Sequence, residues 1–249
     1  MEICVVSGKG GTGKTTLATW LFAYHPGSVL LDCDVEEPNA GLFLEVDRET
    51  VESINTGYPV IDEYFCVNCG ACAAFCAFGA ILSSPKTTLV LPKMCHDCRG
   101  CALVCPHGAI SFGERNIGKI VGRGGRFSYG ELNVGEFSGV KIINKLRETA
   151  PDDSLVFIDG PPGTSCSAVA AVENADYAVL VGEPTPFGLS DMAMAVRMLR
   201  ELNIPFGVVV NKAGIGNDDI FEYCREDDLT VPGSIPFSRT LAENMARGR

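Results

Sequence analysis

"SGKGGTGKTT", residues 7–16, decides how the rest of the chain is read. Gly8-Lys9-Gly10-Gly11-Thr12-Gly13-Lys14-Thr15 fits G-x-x-x-x-G-K-[ST]. Glycines at those places let backbone N–H groups turn inward around phosphates. The lysine reaches the β and γ oxygens, and the hydroxyl after it can ligate Mg²⁺. A helix that starts there adds its positive end. Gly8, Gly10 and Gly13 also fit G-x-G-x-x-G, with Asp32 and Asp34 about 20 residues further on, as in dinucleotide sites. Lys14-Thr15-Thr16 separates the two readings, because a dinucleotide loop needs no lysine and no hydroxyls at the helix start. The expected ligand is ATP or ADP with Mg²⁺, held by Gly8 to Thr16.

Outward from the loop, strands and helices alternate. "EICVVS" (2–7), "SVLLDCD" (28–34), "SLVFIDG" (154–160), "YAVLVGE" (177–183) and "PFGVVVNK" (205–212) read as strands. "KTTLATWLFAY" (14–24), "SAVAAVENA" (167–175), "LSDMAMAVRMLREL" (189–202) and "DDIFEYCRE" (218–226) have helical spacing. This alternation predicts an α/β fold, a mostly parallel sheet flanked by helices. The middle breaks the rhythm. Residues 62–112 hold eight of the twelve cysteines, and the glycine-dotted stretch 117–139 suggests a β-hairpin leading back to the main sheet. The expected organisation is a nucleotide-binding domain in two parts, 1–61 and 113–249, with a small α+β module, 62–112, between them.

The cysteines repeat with an offset of 29 residues: Cys66, Cys69, Cys72 and Cys76 map onto Cys95, Cys98, Cys101 and Cys105. Gly79-Ala80-Ile81 maps onto Gly108-Ala109-Ile110. C-x2-C-x2-C-x3-C twice over is the pattern of bacterial two-cluster ferredoxins, in which the fourth thiolate of each run serves the other cluster. That predicts one 4Fe–4S cluster on Cys66, Cys69, Cys72 and Cys105, and another on Cys76, Cys95, Cys98 and Cys101. The second run ends in Cys105-Pro106, as the pattern expects, but the first ends in Cys76-Ala77. Zinc is the rival metal, although its knuckles supply two close ligands each rather than three. His96 and His107 read as loop residues, and Cys4, Cys33 and Cys224 as packing.

Bulk properties narrow the partners. A net charge of −11 leaves no counterion release to drive nucleic-acid binding. The start lacks a basic segment followed by an apolar one, and no apolar run of about 18 residues exists, so neither a signal peptide nor a membrane span is expected. Twelve cysteines without an export signal suggest thiols in a reducing cytoplasm.

The loop G-K-G-G-T-G-K-T-T resembles the deviant phosphate loop of the MinD/ParA/Mrp class of ATPases. The resemblance implies that Lys9 reaches across a nucleotide-dependent homodimer to the partner's nucleotide. Asp32-Cys33-Asp34 resembles the first switch of that class, with Asp32 on a Mg²⁺-bound water and Asp34 on the attacking water. "FIDGPPGT" (157–164) resembles the second switch, with Asp159 as the metal-side carboxylate. Asn211-Lys212 and "SIPFS" (234–238), which contains Pro236, resemble its base-recognition walls.

The chain as a whole resembles MinD-superfamily ATPases with an inserted ferredoxin domain. The wider cobyrinic acid a,c-diamide synthase label fits less well, since such amidotransferases need a glutamine-splitting domain. The resemblance implies slow or partner-stimulated ATP hydrolysis coupled to electron transfer with a protein redox partner. A cluster carrier and a MinD-like positioning protein with redox sensing are the alternatives. Members of the positioning class often end in a membrane-binding amphipathic helix, a pattern missing from "LAENMARGR" (241–249). Cys166 lies just past the second switch, where the nitrogenase iron protein has a cluster ligand. With no companion cysteine nearby, it reads as packing.

Overall fold

The computed structural model describes residues 1–44, 49–240 and 243, so most of "LAENMARGR" lies outside the described residues. In chain order the first elements are β1 (Glu2–Ser7), α1 (Lys14–Tyr24), β2 (Val29–Asp32) and β3 (Glu49–Ile61). Next come α2 (Ala71–Phe75), β4 (Ile81–Ser84), β5 (Thr87–Val90), α3 (Gly100–Leu103) and β6 (Ile110–Arg123). β7 (Phe127–Leu132), α4 (Val140–Arg147), β8 (Val156–Pro162), α5 (Cys166–Val172) and β9 (Tyr177–Gly182) follow. The last are α6 (Pro186–Glu201), β10 (Phe206–Ala213), α7 (Asp219–Glu226) and β11 (Gly233–Pro236).

The chain divides into two compact units. One comprises Met1–Glu52, Lys119–Leu132 and Ser138–Arg249; the other comprises Ser53–Gly118 and Asn133–Phe137. Both boundaries of the middle segment fall inside strands, β3 and β6, rather than in loops.

In the larger unit the strands run β11-β10-β9-β1-β8-β2-β7, and the same sheet continues into β6 and β3. β1 pairs in parallel with β8 and β9, and β2 with β8 and β7. The central strands are buried on both faces, which is why they read as unbroken apolar runs. Val5, Leu30, Phe157 and Val181 form a core with Ala18 and Phe22 of α1. Each large side chain buried there contributes about 1.5–3 kcal/mol. The register sets Asp32, the last residue of β2, beside Asp159 of β8, towards the carboxyl edge where open α/β sheets bind ligands. The glycine-dotted stretch folds as the β6–β7 hairpin, its turn carried by Gly124 and Gly125 at φ 61° and 75°.

The smaller unit folds its repeat the same way twice. α2 and α3 begin 29 residues apart and pack together, and β4 and β6 begin at the equivalent Ile81 and Ile110. Equivalent positions share left-handed backbone: Asn68 and Asp97 both at φ 54°, and Gly79 and Gly108 at 63° and 60°. Cys72, Cys101 and Ile81 form its small core. β4 and β5 make an antiparallel hairpin, Ile81 opposite Val90.

Candidate functional site

The loop between β1 and α1 closes onto the helix through Gly13, whose φ of 93° a side chain would strain. Lys14 opens α1 and is buried; Thr15 and Thr16 follow in the first turn. Lys14 Nζ donates to Asp159 Oδ1 at 2.7 Å and stands 3.9 Å from Asp34. Asp32 and Asp159 are fully buried. The Asp32 carboxylate accepts the backbone N–H groups of Asp34, Asn39 and Ala40 at 3.1, 3.0 and 2.9 Å.

One ammonium thus serves three carboxyl groups. Burial pulls Lys14 down, but the carboxylates around it, Asp159 foremost, together outweigh burial and the lysine ends above its ordinary value. Burial, and then the charge of Asp159, push Asp32 up to about 7. Burial pushes Asp34 up to about 6 against the lowering effect of Lys14. The surplus negative charge is matched by orphaned polar atoms. Asp159 Oδ2 and Thr12 Oγ1 are buried without a hydrogen-bond partner. The pocket therefore suits a hard dication with oxygen ligands. Among the described residues no three His, Cys, Asp or Glu side chains converge on one ion. Mg²⁺ is such a dication: it takes one or two carboxylates and completes its shell with water and phosphate oxygens.

Three further side chains hold the loop from the other side. Asn211 Nδ2 donates to the Thr12 carbonyl at 2.7 Å, and Lys212 Nζ to the Gly11 carbonyl at 2.7 Å. Lys212 also pairs with Glu183 at 2.9 Å, and Lys9 pairs with the same carboxylate. Burial raises Glu183, yet the hydrogen bonds from Lys9 and Lys212 hold it below its ordinary value. Gly11, Gly13, Thr16, Trp20, Asn211 and Pro236 line a cavity of about 200 Å³ beside the loop. Glu183 and Trp20 are not singled out by the sequence motifs. A carboxylate ending the apolar strand "YAVLVGE" was the available signal for Glu183; Trp20 had none beyond its place nearly two turns into α1. Cys166 is exposed at the start of α5. Cys4 and Cys33 are buried, and burial pushes the Cys4 thiol up to about 12 and Cys33 well above its ordinary value.

In the smaller unit the eight repeat cysteines form two groups. Cys66, Cys69, Cys72 and Cys105 line one apolar cavity together with His107. Cys76, Cys95, Cys98 and Cys101 line a second, of about 160 Å³, together with His96. Each run lends its fourth thiol to the other. Backbone N–H groups already point at two of the sulfurs, Ala80 at Cys76 (3.3 Å) and Asp97 at Cys95 (3.4 Å). Four thiols around an apolar hollow are a donor set for a metal centre, zinc or an iron–sulfur group, the latter having ligands that bind different irons.

A family model for the CobQ/CobB/MinD/ParA nucleotide binding domain matches residues 3–249. The chain belongs to that family. Among curated proteins, this family member is similar to the uncharacterised protein MJ0579 of Methanocaldococcus jannaschii. The two are 32% identical over 100% of this chain and 90% of the relative. It is also similar to an iron-sulfur cluster carrier protein of Aquifex aeolicus, 28% identical over 99% of this chain and 60% of the relative. Among solved structures, the septum site-determining protein MinD with Mg-ADP from Pyrococcus horikoshii superimposes with a TM-score of 0.55. It is 20% identical, over 99% of this chain and 85% of that one, so the fold is shared. Among the described residues of this MinD/ParA-like chain, no helix is long and apolar enough to cross a membrane.

Proposed function

We propose that the chain is a Mg-ATP-binding and hydrolysing iron–sulfur protein, with 62–112 as an inserted two-cluster ferredoxin domain and 1–61 with 113–249 as the ATPase. Nucleotide state governs electron exchange between the clusters and a protein redox partner. One observation carries the reading: a buried lysine–carboxylate pocket at a phosphate loop and two crossed sets of four cysteines occur in one polypeptide.

The nucleotide half follows from charge. Backbone N–H groups of residues 8–15 and the start of α1 hold the phosphates. Lys14 exchanges Asp159 for the β and γ oxygens. Thr15, Asp32 and Asp159 would hold Mg²⁺, which would supply positive charge against the phosphates; the unmatched, buried Oδ2 of Asp159 fits that role. Asp34, half-buried at the edge of the pocket, orients the attacking water. Lys9 leaves Glu183 and acts on the nucleotide of a second copy, stabilising charge that develops during phosphoryl transfer. Asn211, Lys212 and Pro236 bound the base side.

In the smaller unit, the cysteines would bind two 4Fe–4S clusters, which supply one-electron redox chemistry. The chain's own part there is to wall off water and to aim N–H dipoles at sulfur. The switch carboxylates Asp32 and Asp159 lie before and after the insert in the sequence, which is the route by which phosphate state reaches the clusters.

A second reading, a cluster carrier, is favoured by the similarity to the Aquifex aeolicus protein. The deciding experiment is anaerobic reconstitution. Iron and acid-labile sulfide in equal amounts are expected, with cluster potentials that differ between ADP and a non-hydrolysable ATP analogue. Zinc without sulfide sinks both readings. Potentials indifferent to nucleotide, together with transfer of iron to an apo-ferredoxin, sink the first and support the second.

A further inference from the structure

The two cysteine cavities are built from one repeated plan, and they differ at one charged position. Gly70 lines the first cavity at φ 78°. The equivalent residue of the second is Arg99, at φ 59°. Left-handed backbone suits glycine and strains an arginine. A strained residue persists where its surroundings hold it, and such residues gather at functional sites. Arg99 is held in two ways. Its guanidinium lies 4.8 Å from the centre of the Phe112 ring, which also lines the second cavity. Its Nε donates to Asp97 Oδ1 at 3.3 Å. The other oxygen of Asp97 accepts the Gly57 N–H at 2.9 Å, and Asp97 itself does not line the cavity. Arg99 thus lines the hollow itself, while Asp97, outside the lining, is shared between the guanidinium and the Gly57 N–H and sets its own negative charge against the arginine at Cys95. The histidines do not break the symmetry in this way, because each cavity has one, His107 in the first and His96 in the second.

Resting on the ferredoxin reading, we propose that Arg99 makes the two clusters inequivalent by raising the reduction potential of the one held by Cys76, Cys95, Cys98 and Cys101. Reduction adds a negative charge to the cluster, and a nearby fixed cation favours the reduced form. A single electron placed on the module then resides at the second site. Arg99 acts through electrostatics and binds no iron; it is a positioning residue for charge.

The test is an anaerobic redox titration of the full-length protein followed by electron paramagnetic resonance, after iron and sulfide have been measured. Wild type should show two separate couples. R99G restores the glycine of the first repeat and R99Q keeps the length without the charge. Both should lower one couple and leave the other in place, bringing the two together, while R99K should keep them apart. R99G should also melt no lower than wild type, since it relieves the backbone. Unmoved couples in R99G and R99Q, or an R99K shift equal to that of R99Q, overturn the inference and leave the ferredoxin reading standing. Protein without sulfide overturns both.

Discussion

Replacing Asp32 by asparagine removes a titrating carboxyl from the floor of the nucleotide pocket and alters how stability depends on pH. Asp32 is pushed up to about 7 by burial and by Asp159. The folded protein therefore holds a proton at pH values where the unfolded chain has already released it near 3.8. For a carboxyl raised in this direction, stability falls as pH rises through the window between the two values, and levels off above the higher one. From pH 5 to pH 8 the unmatched span is the two units from 5 to 7. At about 1.4 kcal/mol per unit this amounts to about 3 kcal/mol. For a chain of this size that is a fall of ~6–12 °C in melting temperature.

The asparagine of the D32N variant cannot titrate. Its Nδ2 also cannot accept one of the three N–H groups that the carboxylate serves, a cost of about 1–3 kcal/mol that is the same at every pH. The slope separates the two effects. Melting curves of wild type and D32N, without nucleotide and with Mg²⁺ chelated, should converge or cross as pH rises from 5 to 8, wild type losing the larger amount. Acid lability of any cluster is common to both proteins and cancels in the difference. Parallel profiles would refute the electrostatic account of the pocket.

Trp20 is the sole tryptophan and lines the cavity beside the loop, so its emission should change saturably with Mg-ADP; a fluorescence titration without change would put the base elsewhere. Asn211→Ala removes the tether to the Thr12 carbonyl, about 1 kcal/mol, and should weaken ADP about fivefold by calorimetry. Glu183→Gln releases Lys9. Light scattering should then find the Mg-ATP dimer forming at about fivefold lower protein concentration, a partly buried ion pair being worth about 1 kcal/mol once desolvation is set against attraction. A K9A/E183Q double variant that dimerises like E183Q would refute the part given to Lys9.

Local patterns carried most of the fold into the sequence. The phosphate loop, the apolar strands around it and the spaced cysteines are each complete within a dozen or so residues, and each has one physical reading. β3 escaped because Glu49–Ile61 mixes Glu, Asn, Gly and Pro, and its buried residues begin only at Ile54. Proline within such a run argues against a strand from sequence alone. α4 escaped because eight residues, with Ile142, Ile143 and Leu146 inward, are too few for a periodic signal to stand out. The candidate site was legible as a set of residue types, but its electrostatics were not. That Asp32 is raised depends on its register with Asp159, and that Lys9 is held depends on Glu183, contacts between segments far apart in the chain. The left-handed backbone of Arg99 was equally invisible, since nothing local marks an arginine that stands in a glycine's place.

The exchange of fourth thiols between the two runs bears on how the protein is made. Cys66 leaves the ribosome well before Cys95, yet its set stays one ligand short until Cys105 emerges. The other set begins with Cys76 and closes at Cys101. Both sets are thus completed within one short stretch of translation, and a nascent chain that stalls before it presents only partial sets of ligands. On the proposed iron–sulfur reading, iron delivery follows synthesis of the whole module, and chains cut short inside the first run should be barren of metal rather than half-loaded.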